Sequence, residues 1–177
     1  VEVTSSDGLK IATGATSVYA NNFLPEQKAP FYIDFGKIDF NILSNISSFN
    51  ISLANAPPTN YIQYPDLSLN VDSAGIANDA YVVEGSITNT GNQTANNIKI
   101  YATYYNTAGV VVAIGFVILK DPLAPNTSTD FTVTEMDESI KLASKISSYS
   151  LLIQTSTQSF WIPPSASPSE LAQSSHS

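Results

Sequence analysis

The chain has 177 residues, 43% hydrophobic and only 12% charged, with seven basic groups against fifteen acidic ones, a net charge of -8, no cysteine and a single histidine. All the basic groups are lysines scattered along the chain, which excludes a nucleic-acid partner because phosphate neutralisation needs clustered Lys or Arg. Without cysteine there is no disulfide framework, thiolate metal site or cysteine nucleophile, and the lone imidazole, His176, stands next to the C-terminus.

In chain order, Val1-Glu2-Val3-Thr4 has neither the charged nor the apolar region of a signal peptide, so any such leader is expected to have been removed. Residues 1–56 read as a partial β-module: a strand from Val1, a turn at Gly8, an apolar strand to Gly14, and later segments around Phe31 and Ser44–Leu53. Residues 57–64 read as a linker. The second module is expected over 65–157. Leu67–Val71 opens it, and in 81–88 the residues Tyr81, Val83, Gly85 and Ile87 share one face, the period of two of a half-buried strand. Asn89-Thr-Gly-Asn92 supplies a turn. Residues 98–105 alternate Ile98, Ile100, Ala102 and Tyr104 against Lys99, Tyr101, Thr103 and Tyr105, and a turn ending at Gly109 leads into the apolar run Val110–Leu119. That run is about half a bilayer span, so no membrane crossing is expected. Strands at Phe131–Val133 and Tyr149–Thr155 follow, with one helical turn expected over Asp137–Leu142. Residues 158–177 read as a polar tail. The fold class is all-β, with tandem immunoglobulin-like β-sandwich modules of which the first is incomplete.

The two modules are related. At an offset of 100 residues, Ser44–Leu53 falls on Ser144–Ile153 with four of ten positions identical, and Phe31, Ile33, Phe40 and Ile42 fall on Phe131, Val133, Ile140 and Leu142. Upstream the offset changes by one residue, so that Gly8 matches Gly109 and Gly14 matches Gly115. The string from Val83 through the Asn89-Thr-Gly turn to Ile100, then Tyr104–Val112 and Leu123-Ala-Pro125 before Phe131, resembles the FxLYD-type module of secreted and surface proteins of archaea and bacteria. The resemblance covers roughly residues 65–157, with a partial match in 1–55. It implies a β-sandwich in an extracytoplasmic setting and supplies no catalytic residue.

In the first copy only Val1–Asp7 precedes the Gly8 turn, whereas long strands precede Gly109 in the second. A sandwich without those strands leaves backbone groups and apolar side chains uncovered, which invites a strand from elsewhere. Three explanations stay open: a chain that lost its start, strands returned from Pro57–Asp79 or Ser159–Ser177, and donation by a neighbouring subunit. Val1, Val3, Trp161 and Ile162 are the candidate assembly contacts.

Four Asn-x-Ser/Thr sequons, at Asn45, Asn50, Asn92 and Asn126, could carry glycan, although so Asn-, Ser- and Thr-rich a chain generates some by chance. Glu135, Asp137 and Glu138, with Asp130 nearby, could hold calcium or form a solvated acidic turn. No Gly-x-Ser-x-Gly elbow is present, and no cofactor is expected. Tyr101, Tyr104 and Tyr105 could form a sugar-binding patch, yet strand alternation puts Tyr101 and Tyr104 on opposite faces. The expected protein is a non-enzymatic, extracellular or cell-surface scaffold of archaeal type. It would self-associate, or bind other surface proteins, through β-strand complementation into a filament or layer. An adhesive or carbohydrate-binding module and an accessory subunit of a membrane complex are the alternatives.

Overall fold

The computed structural model describes residues 1–19, 28–35, 44–54, 66–136, 142–155 and 159–166. The described residues are all-β, with three antiparallel sheets and one short 3-10 turn at Ala143–Lys145. The chain forms two compact units, Val1–Val18 with Phe31–Asn60, and Tyr19–Pro30 with Tyr61–Ser177.

The second unit is a sandwich. Strands β4 (Leu67–Ala77) and β5 (Ala80–Asn89) form a hairpin, and β5 also pairs with β8 (Ser128–Thr134). Asn78 and Asp79, both at positive φ, make its two-residue turn. The other sheet has the order β10-β9-β6-β7, from β6 (Lys99–Tyr105), β7 (Val111–Ile118), β9 (Ser148–Gln154) and β10 (Ser159–Ala166). Three strands facing four is an immunoglobulin-like arrangement. The alternation expected in β5 and β6 sets the core: Tyr81, Val83 and Ile87 meet Ile98, Ile100, Ala102 and Tyr104, with Phe131, Tyr149, Leu151 and Ile153 completing one buried cluster. Asn89 closes one end of it. Buried at the start of the expected turn, its side-chain amide donates to the carbonyls of Gln93 (2.7 Å) and Leu123 (2.8 Å) and its Oδ1 accepts from Gly91 N–H (3.0 Å), which satisfies a polar group that would otherwise be costly inside.

One boundary differs from expectation. Ser159–Ala166, expected within a polar tail, form β10, paired antiparallel with β9 at the sheet edge. Pro163 and Pro164 hid the strand in the sequence. They sit in the register shift between Ile162 and Ser165, on an edge strand, where proline is tolerated because one row of amides needs no ladder partner. The helical turn expected at Asp137–Leu142 lies, but for Leu142, outside the described residues.

The first unit repeats one sheet of the second. Strands β1 (Glu2–Ser5), β2 (Lys10–Thr13) and β3 (Ile46–Asn50) form a sheet of order β2-β1-β3. It matches β7-β6-β9 residue for residue. Glu2, Val3 and Thr4 oppose Asn50, Phe49 and Ser48, as Thr103, Tyr104 and Tyr105 oppose Ser150, Tyr149 and Ser148. On the other side Val3 opposes Ala12 and Thr4 opposes Lys10 across a bulge. Tyr104 likewise opposes Ala113 and Tyr105 opposes Val111 across a bulge at the same place.

The turns match too. Gly8 (φ 81°) and Gly109 (φ 72°) both occupy the left-handed region that excludes most side chains, and both donate back across the turn, to Ser5 O and Asn106 O. Even the loop side chains agree, with Leu9 N–H donating to Ser5 Oγ as Val110 N–H donates to Asn106 Oδ1. Residues 31–35 form no strand, yet Ile33 and Phe35 lie where a Cβ on Gly14 would stand, as Thr134 and Val133 do at Gly115. The first unit thus holds counterparts of β7, β6 and β9 and a segment in the place of β8.

The packing of the second unit depends on Gly85, because a Cβ there would meet the Asn70 carbonyl and come 2.9 Å from the Phe131 ring. Gly85→Val is expected to lower stability by about 3 kcal/mol, at the upper end of ordinary overpacking, as read from the denaturant midpoint.

Candidate functional site

The matched registers allow the two units to be compared position by position, and the burial of equivalent residues is opposite. Phe49 is 67% exposed where Tyr149 is 4%, and Leu53 is 84% exposed where Ile153 is 0%. Phe31 and Ile51 are likewise exposed while Phe131 and Leu151 are buried. In the second unit this face is covered by β4 and β5, with the Tyr81 ring set against Tyr104 at 5.4 Å between centroids. No described strand covers it in the first unit. Phe31, Phe49, Ile51 and Leu53 are therefore apolar side chains that the first unit leaves exposed.

The expected contacts at the N-terminus belong elsewhere. β1 is the central strand of its sheet, paired on both sides, and Val3 is 1% exposed. The Val1 amino group donates to Gly14 O at 2.7 Å, and Gly14 N–H donates to Val1 O at 3.0 Å. Val3 thus belongs to the interior of the unit and Val1 is half-buried; exposed apolar groups lie on β3 and the segments beside it. The reason is that β2 and β3 supply both neighbours of β1, and Val3, on the same face as Phe49, is itself buried. Trp161 and Ile162 lie in β10, in register with Leu152 and Leu151.

All four sequon asparagines are exposed. Asn45 lies in the turn before β3 and Asn50 at that strand's end, while Asn92 and Asn126 lie in loops tied to Asn89, whose carbonyl accepts from Asn126 N–H at 2.7 Å. An open depression of about 450 Å³ beside Asn45 is bordered by Ser5, Asp7, Lys10 and Ile11. Its carboxylate is engaged: Ser5 Oγ donates to Asp7, and with the Leu9 amide it holds that carboxyl below the usual range.

The acidic cluster is not an open cation loop at Glu135. That side chain is 3% exposed and accepts from the Tyr81 amide. Gly115 and Glu135 form an isolated bridge, which turns the carboxylate into the sandwich beside β5. Asp130 is exposed in β8, and Asp137 and Glu138 lie outside the described residues. Among the described residues no three His, Cys, Asp or Glu side chains gather to hold a metal.

The tyrosines divide as the alternation requires. Tyr104 is buried in the core and its hydroxyl donates to Val133 O at 3.3 Å. Burial, with the Glu135 charge second, pushes its pKa far up. Tyr101 faces the other way and is stacked by Tyr19 at 4.9 Å, with Ala29 also packed there; burial and then Tyr19 raise its pKa. The Tyr105 hydroxyl is 3.0 Å from Ser150 Oγ. Tyr19 was not legible as a partner for Tyr101, because nothing in the spacing connects residues so far apart.

No family model matches the chain, and no curated protein does. Among solved structures, the ligand-binding region of Serine-glutamate repeat protein A of Enterococcus faecium is 18% identical, with a TM-score of 0.40 over 58% of this chain and 92% of that one. A β-glucuronidase from glycoside hydrolase family 2 is 14% identical, with a TM-score of 0.33 over 57% of this chain and 11% of that one. A β-glucosidase from Kluyveromyces marxianus is 16% identical, with a TM-score of 0.34 over 57% and 14%. Likenesses this distant assign neither a ligand nor a reaction.

Two outcomes test the buried polar pair. Glu135→Ala removes the acceptor of the Tyr81 amide and is expected to cost about 2 kcal/mol in chemical denaturation. Because the Tyr104 pKa is raised on folding, the native state keeps that proton while the unfolded chain loses it above about pH 10. Stability should therefore fall as pH rises beyond that point. Tyr104→Phe should flatten this alkaline decline in melting curves.

Proposed function

We propose that this chain is a non-enzymatic structural protein of the cell surface, built from FxLYD-type modules, whose first unit assembles with neighbours by β-strand complementation. The observation that carries this reading is the reversal of burial between Phe31, Phe49, Ile51 and Leu53 and their covered counterparts Phe131, Tyr149, Leu151 and Ile153. An apolar sheet face left in water is unfavourable by about 25 cal/mol for each Å² that a partner would cover. Main-chain pairing to an added strand makes such contacts specific. The sparse charge, the absence of cysteine and the four exposed sequons suit an extracellular surface that bears glycans. No described helix is long and apolar enough to cross a membrane, so any attachment to one through a helix would involve other residues or another subunit.

The adhesive alternative loses its aromatic platform: Tyr101 lies under Tyr19, Tyr104 is in the core and the Tyr105 hydroxyl is engaged by Ser150. Size-exclusion chromatography with light scattering tests the assembly reading. The purified chain should rise in mass with concentration or when mixed with its native surface fraction, and Phe49→Ser with Leu53→Ser should abolish the rise. A chain that stays monomeric in both settings overturns self-assembly and neighbour assembly alike.

A further inference from the structure

We infer that Asn92 is the residue of the folded chain that accepts an N-linked oligosaccharide, ahead of the other three sequon asparagines. The inference deepens the reading of a glycan-bearing extracellular surface and rests on it for the encounter with a transferase. Asn92, Gln93 and Thr94 are all exposed and lie outside every strand, in the loop between β5 and β6. The loop is fixed on both sides of them. Before the sequon, the Thr90 amide and hydroxyl both donate to Asp66 O, at 2.7 and 3.0 Å, and the Gly91 amide donates to Asn89 Oδ1 at 3.0 Å. After it, Ala95 and Leu123 exchange two main-chain bonds of 2.9 Å. Among the described residues, two hydrogen bonds reach the triplet itself, from the side-chain amides of Asn89 to Gln93 O at 2.7 Å and of Asn96 to Thr94 O at 3.2 Å. Both end on carbonyls, so the Asn92 amide and the Thr94 hydroxyl are presented together to solvent.

The chemistry of the transfer gives that presentation its value. A transferase joins C1 of a lipid diphosphate-linked oligosaccharide to the asparagine Nδ2. The C1–O bond to phosphate breaks, the lipid diphosphate leaves with the electron pair, and the amide gives up one proton. The acceptor amide and the hydroxyl two residues on are recognised as one unit, so a folded sequon must first be lifted from its own partners. At the other three sites the fold holds that unit. Ser47 Oγ donates to Thr4 O at 3.3 Å from within β3, and Asn45 O accepts from Ser6 N–H at 3.1 Å. Asn50 stands in β3, in register with Glu2 of the central strand. Asn126 is at positive φ with its N–H bonded to Asn89 O at 2.7 Å, and Ser128 Oγ lies 2.7 Å from Thr88 Oγ1 across the β5–β8 pair. Releasing any of these opens part of a sheet or its turn, whereas releasing 92–94 costs two side-chain bonds on the surface. Thr94 is also the one threonine among the four sequon hydroxyls, the others being Ser47, Ser52 and Ser128. Its β-branched side chain has fewer rotamers to lose when it is bound.

The test uses the full chain, purified without glycan from a host that lacks a transferase, with an oligosaccharyltransferase and its lipid-linked oligosaccharide. Four short peptides, one for each sequon, serve as the unfolded reference, and initial rates at every site are read by mass spectrometry of glycopeptides. Relative to its own peptide, Asn92 in the folded chain should react about tenfold faster than any of the other three, the effect of one or two hydrogen bonds that need not be broken. Thr94→Ser keeps the sequon, removes the threonine and should leave that ranking unchanged. If Asn45, Asn50 or Asn126 matches Asn92 on this scale, or if the folded chain is inert while its peptides react, the inference is overturned. Glycopeptide mapping of the chain recovered from its native surface separates the site from the setting. Glycan at Asn92 upholds both, and glycan at other sequons with Asn92 bare overturns the site. A native chain bare at all four, with Asn92 still favoured by the transferase, removes the glycan-bearing surface and leaves the choice of site upheld.

Discussion

A sheet with one apolar face needs a second layer, because its backbone is satisfied by its own ladder while its side chains are not. The whole molecule turns on that constraint. In the second unit β4, β5 and β8 supply the layer, and Tyr149, Leu151 and Ile153 are removed from water. In the first unit the same ladder forms, yet Phe49, Ile51 and Leu53 stay exposed. Hydrogen bonding thus determines the register in both units, and hydrophobic cover is complete in one.

The two units agree most closely where the backbone has least freedom. Gly8 and Gly109 keep the left-handed turn, the bulges after Val3 and Tyr104 stay in place, and Ser47 Oγ still donates to Thr4 O as Ser147 Oγ does to Tyr105 O. The side chains on the inner face diverged more in size than in character.

Much of this was legible in the sequence because strand alternation is a strong signal when one face is buried. The alternations at 81–88 and 98–105 gave the inward set of β5 and β6 correctly, including the opposed faces of Tyr101 and Tyr104. The offset of 100 residues sets β3 on β9, and the two strands hold the same place in their sheets. Other features had no such signal. β10 was masked by Pro163 and Pro164, which break the alternation and are tolerated because the strand is an edge. Glu135 read as part of an acidic run, but its bridge to Gly115 directs it inward, a tertiary effect invisible to local charge pattern. Val1 and Val3 read as assembly contacts because the partner strands of β1 are distant in sequence, whereas β2 and β3 flank it on both sides. Asn89 was read only as a turn residue; its role in tying two loops depends on carbonyls brought near by the fold.

The most direct test of the central claim is native-state amide hydrogen exchange on the isolated chain at low concentration. The account predicts that β1 and β3 exchange through local opening well below the global unfolding free energy, while their twins β6 and β9 exchange only on global unfolding. Equal protection of the four strands in the unassembled chain would mean that the exposed face of the first unit needs no partner, and would contradict the account.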